Sequence, residues 1–128
     1  MRRVVLLIAL CTVAGCSTEP HSPVGLWRLQ TVNGAPLPFI VEQIGLNKIE
    51  LTQDSYALTK QGTYQEITAF RETVNGVVST PSAVEIGTYT VNGTAISLNS
   101  TTGNHDTAEW SGDRLAVTGG GFVSVYER

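Results

Sequence analysis

From residue 24 onward apolar and polar residues alternate almost one by one in short runs broken by Gly and Asn, and no window of ten or more residues carries the spacing of a helix. A period of two sends successive side chains to opposite faces of a strand. Residues 87–98, folded back at Asn92-Gly93 as a two-residue type I′ hairpin, set Tyr89 against Ile96 and Gly87 against Leu98 on one face, with Thr88, Thr90, Ala95 and Ser97 on the other. Turned at Gly112-Asp113, the next hairpin pairs Trp110 with Leu115 and Ala108 with Val117. A turn at Gln53-Asp54 would pair Leu51 with Tyr56 and Ile49 with Leu58, and in the last strand Phe122, Ser124 and Tyr126 alternate inward.

The same reading along the chain predicts strands over 24–32, 47–52, 55–60, 63–74, 84–91, 94–100, 107–111, 114–118 and 122–127. Eight or nine consecutive antiparallel strands with short links predict an all-β, small up-and-down barrel, because closure removes exposed strand edges. A two-sheet sandwich is the alternative. Residues 63–74 break the pattern: each face of that strand mixes charge with apolar groups. An inward charge is best tolerated at a rim, so Glu66 and Arg71 are candidate polar groups at a pocket mouth; a bulge or edge position accounts for them equally well.

The first residues follow a different pattern. Arg2 and Arg3 precede the apolar run Val4–Leu10, the order of a secretory signal, and the run falls short of the roughly 20 apolar residues a spanning helix needs. Val13-Ala14-Gly15-Cys16 resembles the lipobox of bacterial lipoproteins. That resemblance implies cleavage before Cys16, loss of Cys11 with the leader, and a triacylated Cys16 as the membrane anchor, beyond the two signals that suffice for stable attachment. The chain then divides into a signal peptide (1–15), a lipidated tether rich in Pro and Ser (16–23) and a barrel domain (24–128). Ser17 after the cysteine corresponds to outer-membrane sorting, facing the periplasm, in a host with two membranes.

Without the leader, six basic residues stand against eleven acidic ones, which argues against nucleic acid as a partner. An acylated Cys16 leaves no thiol for a disulfide. His105 and Asp106 sit in a Gly-containing link as ordinary turn residues, His21 lies in the tether, and nothing else is spaced for catalysis, a metal or a cofactor.

Gly25-Leu-Trp-Arg-Leu-Gln-Thr-Val-Asn-Gly-Ala-Pro-Leu-Pro38, the 87–98 hairpin and the terminal Val-Tyr-Glu-Arg together resemble the bacterial lipocalin-like lipoproteins. The resemblance implies that Trp27 plugs one barrel end with Arg128 packed across it. The inward residues, Trp27, Tyr56, Tyr89, Trp110, Phe122 and Tyr126 among them, would line an apolar cavity and make a monomeric barrel a binding protein for one small apolar ligand. The other reading of the same inward residues is a filled core, in which case the barrel serves as an envelope protein–protein interaction or inhibitor-like module.

The lipid assignment generates the first test. Cys16→Ser should abolish metabolic labelling with palmitate and release the protein from membranes or leave an uncleaved precursor; a variant that still takes up label would refute the assignment.

Overall fold

A computed structural model describes residues 22–128, so Cys16 and most of the tether lie outside the described residues. Eleven strands follow one another: β1 Gly25–Val32, β2 Ala35–Pro36, β3 Phe39–Ile44, β4 Asn47–Leu58, β5 Thr63–Val74, β6 Val77–Ser79, β7 Ser82–Asn92, β8 Ala95–Ser100, β9 His105–Ser111, β10 Arg114–Gly119 and β11 Phe122–Glu127. Eight of them close into an antiparallel barrel, in the order β1-β11-β10-β9-β8-β7-β5-β4, with β4 returning to β1. Apart from the closing pair of β1 and β11, each barrel strand neighbours the next barrel strand in sequence, which makes the barrel up-and-down. The remaining strands β2, β3 and β6 pair at the margins of β1, β4 and β5.

Two hairpins differ from the sequence reading. No turn forms at Gln53-Asp54: residues 47–58 are one strand. Opposite β5, Leu51 pairs with Phe70 and Gln53 with Ala69, so Thr52 is an extra residue in a bulge, its Oγ1 donating to Ala69 O at 3.0 Å. An inserted residue switches which side chains face inward. The parity change that a turn would have explained is therefore real, and it lets both Leu51 and Asp54 reach the interior. Between β7 and β8 the ladder is offset by two residues from the expected one: Tyr89 pairs with Leu98 and Val91 with Ile96. The two-residue loop is Gly93-Thr94, with Gly93 at φ 63°, the sign a type II′ turn requires at its first central position. An offset of two leaves every residue on its expected face. The 108–117 hairpin has the expected register.

One end of the barrel is packed solid. Trp27 is fully buried, together with Leu58, Ile96, Trp110 and Leu115. Its indole Nε1 donates to Pro23 O at 2.7 Å, and the Arg128 guanidinium carbon stands 4.6 Å from its ring centroid. Arg128 itself donates to the carbonyls of Ser22 (2.8 Å), Val24 (3.1 Å) and Gly112 (3.1 Å), tying the chain's entry to its last strand. Gly87 is required nearby for a different reason. A Cβ there would collide with Asn99 O and with the Tyr64 ring.

Trp27→Ala should cost about 3–5 kcal/mol in urea unfolding, the range for deleting a large aromatic side chain from a packed core. A loss under about 1 kcal/mol would contradict the plug.

Candidate functional site

The opposite end is open. A cavity of about 520 Å³ enters the barrel there, and its two walls differ in chemistry. One wall is apolar, built from Val32 of β1, Phe39 of β3, Leu51 of β4, Phe70 of β5 and Phe122 of β11. Phe39 and Phe122 meet edge-on with centroids 5.9 Å apart. The other wall carries four carboxyl groups, Asp54, Glu66, Glu85 and Asp106, with Tyr56 and Tyr126 among them.

Strand register puts these acids together. Asp54 faces inward because of the Thr52 bulge, and Glu66 and Glu85 are cross-strand partners on the inner face of β5 and β7. Asp106 precedes Ala108 and Trp110 in the inward alternation of β9, and its carboxyl occupies the space a side chain on Gly119 would need. Asp54 is almost fully buried; it accepts from Tyr126 Oη and from Thr68 Oγ1 at 2.8 Å. Glu85 accepts from Tyr64 Oη (3.3 Å) and Asn104 Nδ2 (3.2 Å). Asp54 and Glu66 lie close enough for each charge to act on the other, which favours a proton on the pair.

Burial dominates the protonation chemistry. It pushes Glu66 up to about 8, helped by the adjacent Asp54 charge, and it raises Asp54 and Asp106 above the ordinary carboxylate range. The same loss of solvent raises Tyr56, Tyr64 and Tyr126, so their hydroxyls stay protonated. Among the described residues no group of three or more His, Cys, Asp or Glu side chains is arranged to hold a metal ion.

The expected site residues divide between the two ends. Tyr56, Phe122, Tyr126 and Glu66 line the cavity. Trp27, Tyr89 and Trp110 do not line it: they belong to the packed end, where aromatic bulk fills the barrel rather than bounding a space. Arg71 is also corrected. It alternates with the inward Phe70 and so points out, where Nε and Nη2 grip Glu50 Oε2 and Oε1 at 2.8 and 3.0 Å. That bidentate pair, with Lys48 beside it at 3.2 Å, holds the Glu50 carboxyl down at about 2 on the outer face. His105 reaches the cavity mouth, where its Nδ1 lies 2.7 Å from Asn99 Oδ1. Sequence reasoning passed over Glu85 and took Asp106 for a turn residue, although both continue the inward alternation of Gly87–Tyr89 and Ala108–Trp110. Asp54 was concealed by the turn assigned to it.

No protein-family model matches the chain, and no curated protein matches it.

The raised carboxyl of Glu66 makes stability depend on pH in a direction opposite to the common carboxylate case. A group that ionises at 4.5 unfolded and about 8 folded favours the fold fully below 4.5, and that contribution is lost as pH rises through 8. Asp54 and Asp106 act in the same direction. Glu50, held at about 2, is ionised in both states across this window and contributes no slope there. The melting temperature should therefore fall between pH 5 and pH 8, by the equivalent of a few kcal/mol, on the order of the raised carboxyls' contribution. Glu66→Gln should flatten the profile, and a wild-type profile that is level or rises with pH would contradict the buried cluster.

Proposed function

We propose that the protein is a lipid-anchored cell-envelope protein of lipocalin-like build that binds a small amphipathic molecule in its open barrel end. The observation that carries the reading is the cavity itself. At about 520 Å³ it falls in the size range of small-molecule sites, and it combines an apolar wall with a few convergent polar groups. An eight-stranded barrel is just wide enough either to fill with side chains or to hold one small ligand, and here each outcome occupies one half. The Trp27 plug supplies the rigid floor that a preformed pocket needs. The lipid on Cys16 would keep the domain at a membrane surface, on a tether leading to the plugged end, with the cavity mouth facing away from its attachment.

The ligand expected from the sequence is a small apolar one, lined by aromatic residues with Glu66 and Arg71 as polar groups at the mouth. The geometry supports an amphipathic one, because an apolar molecule filling this cavity would cover four carboxyl groups without offering them a donor.

Nile red, a neutral dye whose emission rises when it leaves water, should bind against the apolar wall alone, leaving the carboxyl groups hydrated. Ser124→Trp, which fills the cavity from β11, should abolish that binding, whereas Ser97→Trp on the outer face of β8 should leave it intact. Equal binding by wild type and Ser124→Trp would place the site elsewhere and defeat the reading.

A further inference from the structure

Charge is segregated over the whole open end. The described residues include six Lys and Arg side chains, Arg28, Lys48, Lys60, Arg71, Arg114 and Arg128, and none reaches the cavity. Lys48 and Arg71 point away from it on the outer face, where both hold Glu50. Lys60 lies in the β4–β5 turn and Arg128 beside Trp27, both at the plugged end, while Arg28 and Arg114 alternate with inward Trp27, Leu29 and Leu115 and so face out. The carboxyls Asp54, Glu66, Glu85 and Asp106 thus share an interior that no described Lys or Arg side chain reaches, with His105 at the mouth beside Asp106.

A second feature, independent of the acids, marks the mouth. Beyond the Thr52 bulge, β3, β4, β5 and β6 continue past the barrel as an overhanging sheet. Its register places Ile44, Ile49, Val74 and Val77 on the same face as Leu51 and Phe70, so the apolar cavity wall runs outward onto this overhang. Ile44 is 71 % exposed and Val77 70 % exposed, an apolar surface that soluble domains normally cover. Glu42 and Glu72 flank Ile49 on the same face, again with no basic side chain opposite.

We infer that the site takes a small organic cation with an apolar body, a protonated alkyl or arylalkyl amine, its ammonium group among the Asp54, Glu66, Glu85 and Asp106 carboxyls and its carbon skeleton against Phe39, Leu51, Phe70 and Phe122, toward the overhang. The inference rests on the reading of the open end as a small-molecule pocket and adds the charge of the ligand. A carboxylate ligand would meet four acids in a low-dielectric cavity and be repelled. A neutral ligand would leave the charge imbalance as it stands. An ammonium group donates hydrogen bonds to several carboxylates at once and removes the need for the Asp54–Glu66 pair to hold a proton. Binding is then an exchange: the ammonium enters, and the proton on that pair leaves for solvent. The groups facing the pair are Tyr56 on β4, Tyr64 and Thr68 on β5, Glu85 on β7, Asp106 and His105 on β9, and Tyr126 on β11. The tyrosines remain neutral donors, so a carboxyl proton is the one exchanged. Burial holds that proton in the ligand-free protein up to about pH 8.

The test compares hexylammonium, hexanol and hexanoate by calorimetry on the intact protein, against a blank of empty detergent micelles. Hexylammonium should bind at least tenfold more tightly than hexanol, and hexanoate not at all. Below pH 8 the hexylammonium affinity should rise with pH, by up to about tenfold per unit if one proton is displaced. Glu66→Gln should lose that advantage and the pH dependence while keeping hexanol binding, which shows that the pocket survives. Glu109→Gln removes the same charge from the outer face and should change nothing. Binding of all three probes with equal affinity would leave the pocket reading standing and overturn the cation inference, as would a Glu66→Gln variant that behaves like wild type. Failure of every probe, hexanol included, would overturn the pocket reading beneath it.

Discussion

Everything in this structure depends on β1 pairing along both of its edges. Residues Gly25 to Arg28 match Leu58 to Ser55 on β4, and the same strand matches β11 from Glu127 to Ser124. Closure fixes the circumference at eight strands, and with it an interior too narrow to be empty throughout. It also removes the free edges that a meander of this length would offer to other chains. The two ladders meet at Arg28, and Trp27 lies next to it, paired with Tyr56 on β4. Arg128 then clamps the closure, because its one guanidinium reaches the carbonyls before β1, the β9–β10 turn and the tryptophan face. These bonds lock the first and last strands together at the end where the tether enters.

A solid floor at one end frees the other for a cavity, and bulges decide what lines it. In β1 the ladder with β11 skips Gln30, so Trp27, Leu29 and Val32 all face inward despite their uneven spacing. In β4 the extra Thr52 brings Asp54 to the interior opposite Glu66's strand. A regular β4 would have turned that carboxyl to solvent. Asp54's place in the acidic wall is thus a consequence of one inserted residue, and the wall is held by hydrogen-bond donors: the buried Tyr126 and half-buried Thr68 on Asp54, the buried Tyr64 and exposed Asn104 on Glu85. Carboxyls bonded in this way keep fixed positions. Among the described residues no Lys or Arg side chain reaches the cluster.

The architecture was legible in the sequence because alternation and turn dipeptides are local signals. Trp110 opposite Leu115, the inward set of β11 and the Trp27–Arg128 plug all follow from period two or from the Gly-x-Trp resemblance. The site was less legible. Aromatic residues at inward positions read as a pocket lining, yet Trp27, Tyr89 and Trp110 fill the floor, since alternation tells inward from outward but not one barrel end from the other. Arg71 was placed at the mouth because its strand is charged on both faces; the register with Glu50 resolves it to the outside. Asp54 could not be placed without knowing that Thr52 bulges, and a bulge and a tight turn change side-chain parity in the same way.

The central claim is that four carboxyl groups share a sheltered cavity at the unplugged end of the barrel. Carboxyl-carbon NMR, following each Asp and Glu side chain from pH 3 to pH 10 in the ligand-free protein, reads that directly. The account predicts that Glu66 titrates near 8, that Asp54 and Asp106 titrate above ordinary aspartates, and that Glu50 stays ionised down to about 2. Glu66, Asp54 and Asp106 all titrating between about 3.5 and 4.5, as solvated side chains do, would contradict it.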